Sequence, residues 1–360
     1  MPIVIEGART PPRLAEMFAA NPRSASLAVD DNGAAGVRLA LVNNMPDAAL
    51  EETEFQFLEL LNSIVGETPV RVKLYSLPEY ARTGRAQQHV KDFYFDMVDF
   101  WSSEFDALIV TGTEPQQPNL QDEPYWKTLT DVLDSAARNT RSVILSCLAA
   151  HASVLHFDGI ERQPLNQKLF GVFEFVKSTE HPLLNKAANS VSFPHSRWNG
   201  LRREDLAGSG YKILTESRDA GVNSFVKQNG NSLFLHLQGH PEYGARTLLH
   251  EYVRDVKRYL REERDSYPPL PHGYFDDASA RLLNDFQENA EAHRQNVQMD
   301  SFPSAAIAYT LENKWRQSAQ QLYRNWLNII QSGRKPREER RTFSSRSKPA
   351  MRAAHAANRK

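Results

Sequence analysis

Hydrophobic positions along this chain switch repeatedly between two periodicities, and the switches mark out alternating strands and helices. Val37-Arg38-Leu39-Ala40-Leu41-Val42 is a β-like run, and residues 50–65 follow it with Phe55, Leu58, Leu61 and Ile64 at helical spacing. Val70, Val72 and Leu74 alternate with Arg71, Lys73 and Tyr75, which predicts a second strand over 70–77. Ala107-Leu108-Ile109-Val110 is wholly apolar, as a strand covered on both faces should be. A helix is predicted over 125–137, and Val143-Ile144-Leu145 is a further buried strand that runs straight into a helical stretch over 148–155. Shorter β runs over 169–175, 224–227 and 233–237 precede an amphipathic helix over 245–261.

This order predicts an α/β fold, a doubly wound and mainly parallel sheet, with a C-terminal helical extension. Four stretches follow from it. Residues 1–35, rich in Pro, Ala, Asn and Arg and closed by Asp30-Asp31-Asn32-Gly33, read as an N-terminal extension ahead of the ordered core. Residues 36–265 form the α/β body, which Pro268-Pro269-Leu270-Pro271 brings to an end. Residues 266–331 read as two further helices packed on that body, the second carrying Trp315, Leu322, Trp326 and Ile329 on one side. Residues 332–360 are basic, lack periodicity and are expected to be disordered.

Composition narrows the partners. The 360 residues are 41% hydrophobic and 24% charged with a formal net charge of -1, so no global charge points to nucleic acid. The basic tail could contact phosphate, but a solvated terminus is the expectation. No apolar run approaches the roughly 20 residues of a membrane helix. The start of the chain does not read as a signal peptide, since Glu6, Arg9 and two prolines follow Met1–Val4 at once. A single cysteine excludes an intrachain disulfide framework and fits a reducing compartment, so the protein is expected in the cytoplasm.

That cysteine, Cys147, stands between an apolar strand and a helix in Ser146-Cys147-Leu148-Ala149-Ala150. A residue on such a turn projects where α/β ligands bind, the helix N-terminus favours a thiolate, and the Leu148 N–H can hold a developing oxyanion. The alternative is a buried structural cysteine, which behaves as a small hydrophobe. Of the 11 histidines, His240 is distinctive, lying in Gln238-Gly239-His240-Pro241-Glu242-Tyr243 after a strand. Glu242 can orient the imidazole so that it takes a proton from Cys147. Taken alone, the segment could equally be a helix N-terminus with a favourable acid. Together the two segments carry a Cys–His–Glu triad.

The order Cys then His-Pro-Glu on a doubly wound sheet resembles the class I glutamine amidotransferase-like superfamily, and within it the homoserine O-succinyltransferases and their acetyl-using relatives. The resemblance spans about residues 39–328. It rests on Asn44-Met45-Pro46, Glu52-Thr53-Glu54, Phe105 through Gly112, Tyr125-Trp126, Lys168-Leu169-Phe170-Gly171-Val172, Pro194-His195-Ser196-Arg197, Gly239 through Tyr243 with Glu251 and Arg254, and Asn325-Trp326-Leu327-Asn328. It implies a flavodoxin-like fold and a homodimer without a permanently bound cofactor or metal. It also implies a ping-pong reaction of methionine biosynthesis, in which Cys147 takes an acyl group from acyl-CoA, succinyl-CoA or acetyl-CoA, and passes it to homoserine. It further implies that Glu251 and Arg254 meet the amino and carboxylate groups of the acceptor, with Lys168 and Ser196 beside them. Without the resemblance, Glu251 and Arg254 read as a surface pair on a helix and Lys168 as an ordinary lysine.

The chain departs from the family pattern at several points. Asp47-Ala48-Ala49 stand where lysines are usual, and Leu148 and His151 replace an aromatic residue and a glutamine. Gln116 occupies the position whose glycine or glutamate separates succinyl from acetyl users. These departures leave the acyl group open and admit serine or another hydroxy amino acid as acceptor. Glutamine amide hydrolysis and a non-catalytic binding role are the remaining alternatives.

Overall fold

The computed structural model describes residues 3–20, 36–64, 66 and 69–332. Its strands are β1 (Ile3–Ile5), β2 (Val37–Val42), β3 (Val70–Tyr75), β4 (Ala107–Val110), β5 (Ser142–Ser146), β6 (Gln163–Lys177), β7 (Ser190–Gly200), β8 (Lys212–Ser217), β9 (Gly221–Asn229) and β10 (Ser232–Leu237). They form one sheet in the order β1-β3-β2-β4-β5-β10-β9-β8-β6-β7. From β1 to β10 every pairing is parallel. From β10 to β7 every pairing is antiparallel. Within the parallel half, β3-β2-β4-β5-β10 is the 2-1-3-4-5 order of a flavodoxin-like sheet, with the strand order reversing between β2 and β4.

Period-2 alternation divides the parallel strands between two cores. Leu39 and Leu41, Ala107 and Ile109, Ile144, and Leu235 and Leu237 face one core with Phe57, Leu58 and Leu61 of the helix Leu50–Asn62. Ala40 and Val42, Leu108 and Val110, Val143 and Leu145, and Phe234 face the other, against the helices Trp126–Asn139 and Leu148–Asp158. Both faces are therefore covered, which is why these strands read as unbroken apolar runs.

Two stretches differ from the sequence reading. Residues 3–19 are not merely a leader to the core: Ile3–Ile5 pair with Val70–Val72 at the sheet edge, and Leu14 of the helix Pro12–Ala19 is fully buried. A three-residue strand is too short to show an alternation, so the sequence pattern could not reveal it. The second difference lies near the C-terminus, where three helices occur over the expected two: Asp277–Ala292, the short Ser304–Ala308 and Arg316–Ser332. Trp315 immediately precedes the last of these instead of lying within it, and Ile329 is only partly buried. Leu283, Phe286, Trp315, Leu322 and Trp326 all join the first core. The basic tail, apart from Ser332, lies outside the described residues. Among the described residues, no helix is long and apolar enough to cross a membrane.

Candidate active site

β5 and β10 are parallel neighbours in register, with Ser146 beside Leu237, so the segments that follow them emerge side by side at the carboxyl end of the sheet. Cys147 follows β5 directly, and its N–H donates to the Leu237 carbonyl at 2.7 Å. It then caps the helix Leu148–Asp158 with φ 51° and ψ -110°. Such a backbone costs a side-chain-bearing residue on the order of 1–3 kcal/mol and persists only where its surroundings impose it. The bond to β10 and the immediate start of the helix impose it here. The thiol is free and partly open to solvent, while Ser146 and Leu148 on either side are buried. The backbone has the geometry of a nucleophile elbow, with a thiol at the tip.

Leu148 is the first residue of its helix, so its N–H has no intrahelical acceptor and is available to an oxyanion. Gly112, just beyond β4, lies against that amide. A Cβ at this position would sit 3.1 Å from Leu148 N and 3.2 Å from the Ser146 oxygen. Only glycine lets the chain pass this close without crowding the amide.

Beyond β10 the chain turns through Gly239, where a Cβ would meet His195 Nε2 at 2.6 Å and Asn223 Oδ1 at 2.7 Å. The His240 N–H donates to the Pro194 carbonyl at 2.8 Å, which ties this loop to β7. His240 Nδ1 lies 2.8 Å from Glu242 Oε1, and the same imidazole is near enough to Cys147 to feel its charge. A carboxylate there accepts, so Nδ1 carries the proton and Nε2 is left for the sulfur. Burial alone would lower the His240 pKa. The charges of Glu242 and Cys147 and the hydrogen bond to Glu242 outweigh it and hold the ring well above its ordinary value. The structure thus brings Cys147, His240 and Glu242 together.

A second set of predicted residues converges beside them. The Tyr243 ring stacks on His240 with centroids 4.3 Å apart, and its hydroxyl donates to Glu251 Oε1 at 2.7 Å. Ser196 Oγ donates to the other Glu251 oxygen. Lys168 Nζ stands 3.7 Å from Glu251 Oε2 and 3.2 Å from Asp255 Oδ2, and Arg254 Nη2 is 3.1 Å from Asp255 Oδ1. Burial would raise the Asp255 carboxyl, but the charges of Lys168 and Arg254 and their hydrogen bonds hold it below the usual carboxylate value. Glu251, Arg254, Lys168 and Ser196 therefore form one linked group. Gln116 is exposed, and its backbone N–H, like that of Gln117, donates to the buried Glu123.

Several members of the site carried no assigned role in the sequence reading. Asp255 bridges Lys168 and Arg254; its i,i+4 spacing from Glu251 was a signal, because that pair shares a helix face. Tyr243 links His240 to Glu251. Arg197 is buried with no carboxylate partner in its described hydrogen bonds, donating instead to His195 Nδ1 at 3.2 Å and to the Asn199 and Ala220 carbonyls, both at 2.7 Å. Burial pulls its guanidinium down to about 10, opposed by attraction to Cys147. His151 donates to Gln238 Oε1 at 2.9 Å, because Gln238 Nε2 is committed to the Val222 carbonyl. Burial lowers the His151 pKa to about 4, so the ring is neutral.

A family model described as homoserine O-succinyltransferase matches residues 20–336. A homoserine O-succinyltransferase of Rhodopseudomonas palustris is 43% identical over 296 residues, covering 82% of this chain and 89% of that protein. Its counterpart from Methylorubrum extorquens is 41% identical over 82% of this chain and 87% of its own length. Among solved structures, a glutamine amidotransferase from Thermotoga maritima aligns over 82% of this chain and 98% of its own at 12% identity and a TM-score of 0.40. One from Methylobacillus flagellatus aligns over 82% and 96% at 11% identity and a TM-score of 0.44. By the family model and the identity to these relatives, the chain belongs to the homoserine O-succinyltransferase family.

Proposed function

We propose that this protein moves an acyl group from acyl-CoA through a thioester on Cys147 to the side-chain hydroxyl of homoserine, in the methionine branch of amino-acid synthesis. The observation that carries the reading is the imidazole of His240, held through Nδ1 by Glu242 and set beside Cys147 because their strands are parallel neighbours in register. In the first half-reaction the Cys147 sulfur attacks the thioester carbonyl. The new carbon–sulfur bond forms, the bond to the CoA sulfur breaks, and His240 returns its proton to the departing thiolate. The Leu148 amide receives the developing oxyanion. In the second half-reaction the neutral His240 takes the proton of the acceptor hydroxyl, whose oxygen attacks the acyl carbon and releases Cys147.

The linked group around Glu251 supports an amino-acid acceptor. Glu251 offers a carboxylate to an ammonium, and Arg254, half exposed, offers a fork to a carboxylate. The relatives are named for succinyl transfer, so succinyl-CoA is the proposed donor. On this reading the enzyme works in the cytoplasm as a homodimer and needs no bound cofactor. The test pairs succinyl-CoA or acetyl-CoA with homoserine or serine, follows free CoA, and weighs the protein for acylation at Cys147. The succinyl-CoA and homoserine pair should turn over fastest. No CoA release with any pair and no acyl adduct on Cys147 would overturn the proposal.

A further inference from the structure

β7 grips the His240 loop from one side, and a buried cation stands behind that grip. The Pro194 carbonyl accepts the His240 N–H, and His195, next in the chain, lays its ring against Gly239. That ring is fully buried, with Phe175 tilted on it at 5.0 Å between centroids and Phe173 edge-on at 6.0 Å. Arg197 Nε donates to His195 Nδ1 at 3.2 Å. The rest of the guanidinium is spent on two uncharged oxygens, the Asn199 and Ala220 carbonyls. Gly200 closes over it, since a Cβ there would stand 2.8 Å from Arg197 Nη1.

Arg197 is only 5% exposed, and none of its described hydrogen-bond partners is a carboxylate. Burying a cation without a counter-charge is costly, and an apolar side chain of similar volume often serves a fold as well or better. What this cation does secure is the state of His195. A guanidinium can only donate, so His195 Nδ1 must accept and the ring proton must sit on Nε2. Burial first, and then the charges of Arg197 and His240, hold the His195 pKa well below the ordinary imidazole value, so the ring stays neutral. Its Nε2–H is thereby a buried donor, and it has no hydrogen-bond partner among the described residues. It abuts Gly239: the point a Cβ would occupy there lies 2.6 Å from His195 Nε2 and 2.7 Å from Asn223 Oδ1. Asn223 is set to present that oxygen, because its Nδ2 donates to Thr215 Oγ1 at 2.9 Å. The Gly239 backbone is therefore walled by a donor from β7 and an acceptor from β9.

We propose that Arg197 and His195 are positioning residues of the triad. Arg197 locks His195 as a neutral Nε2–H donor, and that ring, with Asn223, forms the wall that fixes Gly239 and so sets His240 against Cys147. The inference rests on the triad proposed above. It gives the buried cation a task that runs through two neighbours and needs no contact with substrate. Without the lock the ring is free to carry its proton on Nδ1. The bare Nε2 would then face the Asn223 oxygen, and two acceptors pushed together would open the wall.

Two measurements test this without substrate, so they judge it even if acyl transfer fails. The first is nitrogen NMR on protein with labelled histidine rings, with His195 assigned by its absence in His195→Gln. The wild type should show a protonated Nε2 and a bare Nδ1 that do not titrate between about pH 5 and 9. In Arg197→Met the same ring should titrate or mix tautomers. The second is alkylation of the single cysteine by iodoacetamide, whose rate reads the thiolate that His240 supports. His195→Gln sets an amide near the place of Nε2 and should react within about threefold of the wild-type rate. His195→Asn reaches only the place of Nδ1 and should react roughly tenfold more slowly, the scale of one hydrogen bond. A role in stability alone would lower both melting temperatures and leave these two rates alike. A wild-type His195 that titrates or carries its proton on Nδ1, or equal alkylation of His195→Gln and His195→Asn, would overturn the proposal. Alkylation unchanged in His240→Asn would remove the triad itself, and this inference with it.

Discussion

Around Cys147, position is set by backbone; in the group around Glu251, proposed to hold the acceptor, it is set by charge. Cys147 is fixed by a strand end, a left-handed φ and the first turn of a helix, and Gly112 keeps the adjacent amide clear. Glu251, Lys168, Ser196, Arg254 and Asp255 come instead from β6, β7 and the helix Thr247–Leu260, and only hydrogen bonds and ion pairs register them. His240 and Tyr243 stand at the seam, stacked on each other. The contrast separates two kinds of sensitivity. A backbone-built site fails when the chain is crowded, whereas a charge-built one fails when a partner is neutralised.

The predictions press on that division. Cys147→Ala should lower turnover by about 10³-fold or more and abolish the acyl adduct seen by mass spectrometry, while the far-UV circular dichroism stays native. Gly112→Ala should slow acylation of Cys147 by the donor about 10²-fold, because the methyl group would crowd the Leu148 amide. Its acceptor affinity should be untouched. A rapid-quench measurement of the first half-reaction checks this, and an unchanged rate would remove Leu148 as oxyanion donor. Glu251→Gln should do the reverse, weakening the acceptor roughly tenfold while leaving donor acylation at the wild-type rate. If acylation slowed as well, the two sides would not be separable.

The last effect is on stability rather than turnover. His151 titrates at about 4 in the fold against 6.5 for an unperturbed imidazole. Because the folded value is the lower one, the neutral ring stabilises the fold above about pH 6.5, and this contribution is lost as pH falls through that window toward about 4. The loss amounts to about 3 kcal/mol by pH 4. His151→Gln keeps a donor for Gln238 and cannot titrate. Its melting temperature should therefore exceed that of the wild type at pH 5 and match it near pH 8, as thermal denaturation across pH would show.

The parallel half of the sheet was legible because each buried strand had to be apolar along its whole length. β2, β4 and the Cys147 turn could be placed from their runs alone. The Cys147 and His240 segments each admitted a structural reading, and only their pairing singled them out. The group around Glu251, proposed to hold the acceptor, was singled out only by family resemblance, since a lysine on a strand and a glutamate on a helix have ordinary patterns. Asp255 was passed over, and Arg197 and Tyr243 were given no role beyond their motifs, because local periodicity does not record contacts between distant elements. The edge strand Ile3–Ile5 went unseen for a similar reason, being too short for an alternation yet stabilised by its pairing with β3.

The sequence by itself therefore determined the βα alternation, the two-faced core and the chemical types of the triad, because solvent exclusion and turn geometry act over a few residues at a time. Tertiary structure alone decided that β10 lies beside β5, which brings His240 to Cys147. It also decided that β6 and β7 deliver Lys168 and Ser196 to Glu251. Hydrogen bonds and ion pairs fall off over a few ångströms, so they belong to whichever groups the completed fold makes neighbours.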